Sequence, residues 1–190
     1  ANMPKDTIQR AIDKGAGSAG GDAFESIVYE GYGPAGAAIL VDTLTDNRTR
    51  TFNEVRTIFN KNGGSLGNPG SVAFMFQTRG QILIPAGKAT EEALLEHALE
   101  AGAEDIDAPD PDAGDDGYWV VSTDVADYIA VRQAIENAGI EIDSAEITKI
   151  PDNTVALSGD DSETLLKLVD LIEDNDDVQK VYHSAELSGE

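Results

Sequence analysis

Residues 81–150 follow an order of apolar patterns that leaves few folds open to the chain. Short apolar stretches predict four strands, and two longer stretches with apolar residues on one helical face predict a helix after the first and after the third strand. The order strand-helix-strand-strand-helix-strand is that of the ferredoxin-like or split βαβ layout, in which two helices cover one face of an open sheet. This segment is therefore predicted to form an α+β domain.

The flanking residues give the same order when they are joined across that segment. Six elements are predicted there, at residues 37–43, 47–61, 71–77, 154–157, 162–174 and 178–183. The predicted fold class is thus α+β, with two ferredoxin-like (split βαβ) domains, the second inserted into the first. The first domain comprises residues 22–79 and 152–190, and the inserted domain comprises residues 80–151.

Residues 1–21 do not continue this pattern. Pro4 fits the first turn of a helix that runs to about Lys14, and the Gly-rich residues 15–21 predict a flexible linker. A single short helix and a linker are an unusual start for a domain. We therefore expect this segment to be the remnant of a helical N-terminal domain.

The acidic charge of the chain is concentrated in its second part. The whole sequence has a formal net charge of −23, yet residues 1–79 contain 8 Lys and Arg against 8 Asp and Glu. Residues 80–190 should consequently repel nucleic acid and anionic membranes, and only the first part can approach a phosphate backbone without a large electrostatic cost. The acidic part could serve solubility alone, or it could dock a basic partner.

A Gly-rich turn at residues 31–36 matches G-x-G-x-x-G, the pattern of dinucleotide-binding loops. The predicted element after it is a strand, so the helix N-terminus that would hold a pyrophosphate is missing. The turn is interpreted as the connection of a β-hairpin. Tyr32 is predicted to lie exposed at its tip, where the ring could stack on a nucleic-acid base.

The first predicted helix carries a group of basic residues, Arg48, Arg50, Arg56 and Lys61. The helix macrodipole disfavours a cation in the first turn, so a partner is expected there, either a carboxylate of the fold or a phosphate outside it. Arg50 and Lys61 lie opposite the apolar face that includes Phe52, and they are predicted to contact anions. For Arg48 and Arg56, ordinary ion pairing is at least as good an interpretation.

No pattern in the sequence indicates catalysis, a cofactor or a metal site. The acidic loop at 105–116 fails both calcium-loop registers, because one places Val121 at the final ligand position and the other places Asp110 at the glycine position. It is interpreted as a solvated loop, with weak divalent binding as the alternative. His97 and His183 are far apart and cysteine is absent. We predict that the chain is not an enzyme and has no catalytic residues, cofactor or metal.

Five segments resemble the YebC/PmpR family: NMPKDTIQRAI at 2–12, YEGYGP at 29–34, TDNR at 45–48, KNGG at 61–64 and DDVQKVYH at 176–183. The resemblance implies a basic N-terminal helical domain followed by two α+β domains, with the third inserted in the second. Residues 1–21 would then be the last helix of the first domain and its linker.

The resemblance implies a non-enzymatic, nucleic-acid-binding regulator of gene expression, of the DNA-binding transcriptional type. The alternatives are a ribosome-associated factor or translational activator that binds ribosomal RNA and relieves stalling, and an acidic protein-interaction module. Most contact with DNA or ribosomal RNA would be made by the basic N-terminal domain. Five residues of this sequence are candidate contacts, namely Arg48, Arg50, Arg56, Lys61 and Tyr32. A cytoplasmic location without membrane contact is expected, and the oligomeric state stays open.

Overall fold

The computed structural model of the protein describes residues 23–187. These residues form two compact units, one of residues 23–76 with 151–187 and the other of Gln77–Ile150. The units divide at 76/77 and 150/151. The predicted boundaries at 79/80 and 151/152 are three residues and one residue later in the sequence. The helix and linker predicted in residues 1–21 lie outside the described residues.

The strands are β1 (Glu25–Tyr32), β2 (Ala38–Thr45), β3 (Ser65–Leu66), β4 (Phe76–Pro85), β5 (Ala103–Asp107), β6 (Tyr118–Thr123), β7 (Ser144–Pro151), β8 (Val155–Leu157), β9 (Val178–His183) and β10 (Ala185–Leu187). The helices are α1 (Arg48–Lys61), α2 (Glu91–Leu94, continued by a π-helical turn Leu95–Leu99), α3 (Tyr128–Asn137) and α4 (Asp160–Glu173). The mixture of helices with antiparallel sheets confirms the predicted α+β class.

The first unit is built on a four-stranded sheet in the order β3-β1-β2-β9, and β1, β2, β3 and β9 pair antiparallel. Alternate residues of a strand point to opposite faces. On β2, Ile39 and Val41 therefore join the core with apolar residues of α1 and α4, such as Phe59 and Leu168. Ala38 and Leu40 point to the other face, where Val72 and Phe76 cover them.

Two features of this unit differ from the predicted arrangement. The residues predicted as one strand at 71–77 form a 3₁₀ turn, Ala73–Met75, and the start of β4. The reason is that backbone N–H groups at Gly70, Val72 and Ala73 donate to the Glu30 carboxylate instead of to a neighbouring strand. In addition, β8 pairs in parallel with β10 in a separate two-stranded sheet instead of joining the sheet of β2 and β9. The antiparallel pairing of β1 with β2 agrees with the predicted β-hairpin.

The second unit has the sheet order β5-β6-β4-β7, which is the strand order of a ferredoxin-like domain. β6 pairs antiparallel with both β4 and β5. Its core joins Ile82 and Ile84 of β4 with apolar residues of the two helices, including Leu94 and Val131. The predicted order of elements in residues 81–150 is therefore present in the structure.

Gly31 lies where β1 approaches both α1 and β3, and this closeness explains the first glycine of the Gly-rich turn. A Cβ at this position would stand 2.6 Å from Cε1 of Phe59 and 2.8 Å from the backbone oxygen of Ser65. Overpacking of this kind should make Gly31→Ala lower the free energy of unfolding by about 2 kcal/mol. Urea denaturation measures the change.

Gly87→Ala is the matched control for Gly31→Ala, because a Cβ at Gly87 meets nothing within 4 Å and the residue has no positive φ. That variant should change the free energy of unfolding by no more than about 0.5 kcal/mol. Equal stability of the two variants would show that the close approach at Gly31 does not constrain the fold.

Candidate nucleic-acid interface

Arg50 is held by carboxylates of the protein itself. Its Nη2 donates to Oδ1 of Asp46 at 2.9 Å and to Oδ2 of Asp177 at 2.8 Å. The Asp177 side chain is only 2% exposed, and its Oδ2 also accepts a hydrogen bond of 2.8 Å from the Thr51 hydroxyl. The hydrogen bond with Asp177 raises the pKa of Arg50. Of the two partners that the sequence left open for Arg50, the structure supplies the carboxylate.

Arg48, Phe52 and Arg56 lie four residues apart along α1 and so share one side of the helix. Both arginines are exposed, and neither forms an ion pair with another described residue. Phe52 is 39% exposed, whereas Val55 and Phe59 are fully buried. The prediction that Phe52 belongs to the buried face is therefore wrong, because the ring lies at the margin of that face.

The other two candidate residues lie away from this side of α1. Lys61 is exposed in the last turn of the helix, opposite Phe52. Tyr32 ends β1, is only partly exposed, and packs against the cluster that contains Leu40 and Phe76. Its hydroxyl donates to the backbone oxygen of Ser71 at 3.2 Å. The expectation of an exposed Tyr32 ring at a loop tip is thus contradicted, because the loop around Ser71 folds back over the sheet.

A groove of about 290 Å³ opens between β1 and the first turns of α1. We call it the β1–α1 groove, and its lining residues are Ile27, Val28, Tyr29, Glu30, Arg48, Thr49, Phe52, Leu66, Gly67 and Pro69. Apolar side chains form most of its walls, and Arg48 is the one cationic residue among these ten lining residues. It brings Arg48 together with Phe52, but it includes none of Arg50, Arg56, Lys61 or Tyr32.

Glu30 holds the loop that closes one side of this groove. Its Oε2 accepts from the N–H of Gly70, and its Oε1 accepts from the N–H groups of Val72 and Ala73 at 3.1 and 2.6 Å. The Gly67 N–H donates to the Glu30 backbone oxygen at 2.7 Å. Burial raises the pKa of the Glu30 carboxyl, but the three amide donors together lower it below its ordinary value of 4.5. The 67–73 loop is therefore anchored by one ionised, buried side chain.

Tyr29 places an unsatisfied polar atom beside the groove. The residue is 8% exposed, and its buried hydroxyl has no hydrogen-bond partner among the described residues. The ring contacts Phe52, with the two ring centroids 6.2 Å apart and the planes inclined at 45°. Burial raises the pKa of Tyr29 above its ordinary value of 10.0, although the positive charge of Arg48 acts in the opposite direction. The hydroxyl is thus a neutral donor at physiological pH.

The opposite side of α1 is acidic. Asp46, Glu54 and Asp177 line a second cavity of about 550 Å³ together with Arg50 and residues 174–176. No group of three potential ligands among residues 23–187 has the geometry to hold a metal ion. Negative charge on this side would repel a phosphate, so an anionic partner should approach α1 from the side of Arg48 and Arg56.

Three residues of the groove were not singled out from the sequence. The helical spacing of Phe52 with Val55 and Phe59 placed Phe52 on the apolar face. Only its position at the edge of that face could have indicated that the ring is partly exposed to solvent. Tyr29 and Glu30 begin the YEGYGP segment of the family resemblance, but they alternate along an ordinary strand and neither was named as a candidate contact. Their roles depend on α1 and on the 67–73 loop, which are remote in sequence from β1.

Comparisons with known proteins agree on one family. A family model described as the TACO1/YebC second and third domain matches residues 24–185. A probable transcriptional regulatory protein of Rubrobacter xylanophilus is 49% identical, with 100% of this chain and 74% of that protein covered. One of Caldanaerobacter subterraneus is 50% identical, with 100% and 76% covered. The crystal structure of a conserved hypothetical protein from Aquifex aeolicus superposes with a TM-score of 0.76 at 40% identity and covers 100% of this chain and 76% of that one.

No helix among the described residues combines the length and apolarity needed to cross a membrane.

Proposed function

The chain belongs to the TACO1/YebC family, and on this premise we propose that it is a non-enzymatic regulator of gene expression that acts by binding nucleic acid. The names of its relatives favour a role in transcription over a ribosome-associated role in translation. DNA is the partner that we propose for this role. A cytoplasmic location is part of the same proposal.

The side of α1 formed by Arg48, Phe52 and Arg56 is the observation that supports nucleic-acid binding. Two arginines without a carboxylate partner among the described residues flank an aromatic ring in a protein of net charge −23. Phosphate contacts from arginine supply the sequence-independent part of the affinity, and exposed aromatic rings can stack on bases. Arg50 is excluded from this surface, because its guanidinium is already held by two carboxylates.

Arg56→Gln tests the proposed function without altering the groove. Binding of a fluorescein-labelled DNA duplex is followed by fluorescence anisotropy between about 50 and about 200 mM salt. The wild-type chain should bind at the low-salt end and lose affinity as salt rises. Loss of one phosphate contact should weaken binding several-fold and reduce the slope of log K against log salt by about 1.

Lys167→Gln is the matched control, since Lys167 is an exposed cation of the same unit that lies on α4. Both variants remove one positive charge, so a general effect of net charge would weaken both equally. Equal loss in the two variants would remove Arg56 from the interface. Absence of binding by the wild-type chain to duplex and to single strands at low salt would refute the proposed function itself.

A further inference from the structure

We propose that the β1–α1 groove binds one unpaired nucleotide of a single-stranded nucleic-acid segment, with its phosphate at Arg48 and its base against Phe52. The inference rests on the proposed function and names the form of nucleic acid that this surface takes. It follows from the charge at one end of the groove, the aromatic wall and the unsatisfied hydroxyl of Tyr29.

The phosphate end of the groove is formed by Arg48 and the first turn of α1. Arg48 lines the groove and forms no ion pair with another described residue. The side chain of Asn47 accepts the N–H of Arg50 at 3.0 Å, and the backbone oxygen of Asn47 accepts the N–H of Thr51. The N–H groups of Arg48 and Thr49 precede the first intrahelical bond and have no helical acceptor. An anion at this position would therefore meet a guanidinium, backbone donors and the positive end of the helix dipole.

The base would lie against the apolar part of the groove. Phe52 and Val28 are 39% and 40% exposed, so each presents an apolar surface that the fold leaves open to solvent. The Tyr29 ring contacts the Phe52 ring, with the centroids 6.2 Å apart. A partly exposed aromatic face of this kind can stack on any base. The volume of about 290 Å³ suits one small planar group and excludes a duplex.

The Tyr29 hydroxyl gives the groove a polar group that could distinguish bases. A buried hydroxyl without a partner costs free energy, and such groups in native proteins call for an explanation. Tyr29 and Arg48 both line the groove, so the ring that carries this hydroxyl lies near the proposed phosphate site. Because the hydroxyl is buried, a base with an acceptor on its edge reaches it only when the side chains that cover it move aside, and this hydrogen bond would then add a preference among bases.

An extended peptide is the competing occupant, because the edge of β1 beside the groove is not covered by β3. β3 pairs only with Gly31 and Tyr32, so the backbone N–H and C=O groups of Ser26 and Val28 on that edge have no strand partner among the described residues. An added strand could therefore pair with only two residues of β1, which is a short edge for strand addition. The unpaired cation beside an aromatic face matches a nucleotide better than it matches a short apolar strand.

Phe52→Leu separates these possibilities, because it keeps an apolar side chain and removes the aromatic face. The probes are labelled single strands of about 12 nucleotides, one of DNA and one of RNA, and a blunt duplex of the same sequence. We expect Phe52→Leu to weaken binding of single strands about tenfold and to leave duplex binding unchanged. The strand that binds more tightly identifies whether the site prefers deoxyribose or ribose.

Phe74→Leu is the control, since Phe74 is an aromatic residue of the same unit, is 70% exposed and lies outside the groove. It should leave both affinities unchanged. Tyr29→Phe removes only the hydroxyl, and it should reduce the preference among homopolymeric strands without lowering the stability of the protein. Thermal unfolding of each variant shows whether the fold is intact.

The outcomes distinguish this inference from the proposed function. If Phe52→Leu binds single strands as tightly as the wild type does while the wild type still binds duplex, the inference is overturned and the proposed function stands. If an acidic peptide of alternating Glu and Leu loses affinity for Phe52→Leu and single strands do not, the groove is a peptide site. If the wild type binds none of the nucleic acids, both proposals fail.

Discussion

Replacing Arg50 with methionine should lower the free energy of unfolding by about 3 kcal/mol, because the buried Asp177 carboxylate would lose its cationic partner. Asp177 is 2% exposed, and the Thr51 hydroxyl still donates to its Oδ2 once the Arg50 guanidinium is removed. The expected loss lies at the lower end of the range for buried pairs, since Arg50 is 40% exposed and solvent screens its charge. Urea denaturation at neutral pH measures it.

A double variant tests whether the loss comes from the missing interaction between Arg50 and Asp177. Arg50→Met/Asp177→Asn removes both charges, so it should be less destabilised than the sum of the single variants, with a coupling of about 1–3 kcal/mol. Arg132→Met is the surface control, because Arg132 and Glu136 form an ion pair of 2.9 Å in which both side chains are nearly half exposed. Its effect should be much smaller than that of Arg50→Met. Strictly additive single variants would mean that Arg50 contributes little through Asp177.

Replacing Glu30 with alanine should have an effect of similar size, about 3 kcal/mol, because three backbone N–H groups would lose a charged acceptor. Gly70, Val72 and Ala73 supply these donors, and Val72 is fully buried, so water cannot satisfy all of them in the native loop. Glu25→Ala is the control on the same strand, and this exposed change should cost no more than about 0.5 kcal/mol. Equal effects of the two would show that the 67–73 loop holds without Glu30.

The contribution of Glu30 should depend on pH in a defined direction. The pKa of its carboxyl is lowered in the folded protein, where burial raises it but the amide donors lower it more, below the ordinary 4.5. The unfolded chain therefore binds a proton more readily than the folded one, and the stabilisation is present above pH 4.5 and lost as pH falls through the folded pKa. The stability difference between wild type and Glu30→Ala should shrink in that range. A difference that stays constant below pH 4.5 would contradict the ionised state of Glu30.

Apolar periodicity along the chain determined the helices and most strands of this protein. The spacing of Leu165, Leu168 and Ile172 predicts α4, and all three side chains are fully buried. The order of elements in residues 81–150 predicts the sheet of the second unit, since few arrangements of that order are right-handed and bury both helices. These features depend on local sequence, because the spacing of apolar residues shows which face of a helix or strand is apolar, whatever packs against that face.

Only the tertiary structure decided which polar and aromatic groups are free to bind a partner. Arg50 meets Asp177 across 127 positions of the sequence, and Glu30 meets Val72 across 42, so neither pairing leaves a local trace. The same folding leaves Arg48 and Phe52 together in the β1–α1 groove and withdraws Tyr32 beneath a loop. The positions of the arginines around the predicted helix indicated only which of them face solvent, and not which of them meet a carboxylate. A long-range ion pair depends on which strands and helices become neighbours, and that choice is made by the packing of the whole unit and not by any one segment.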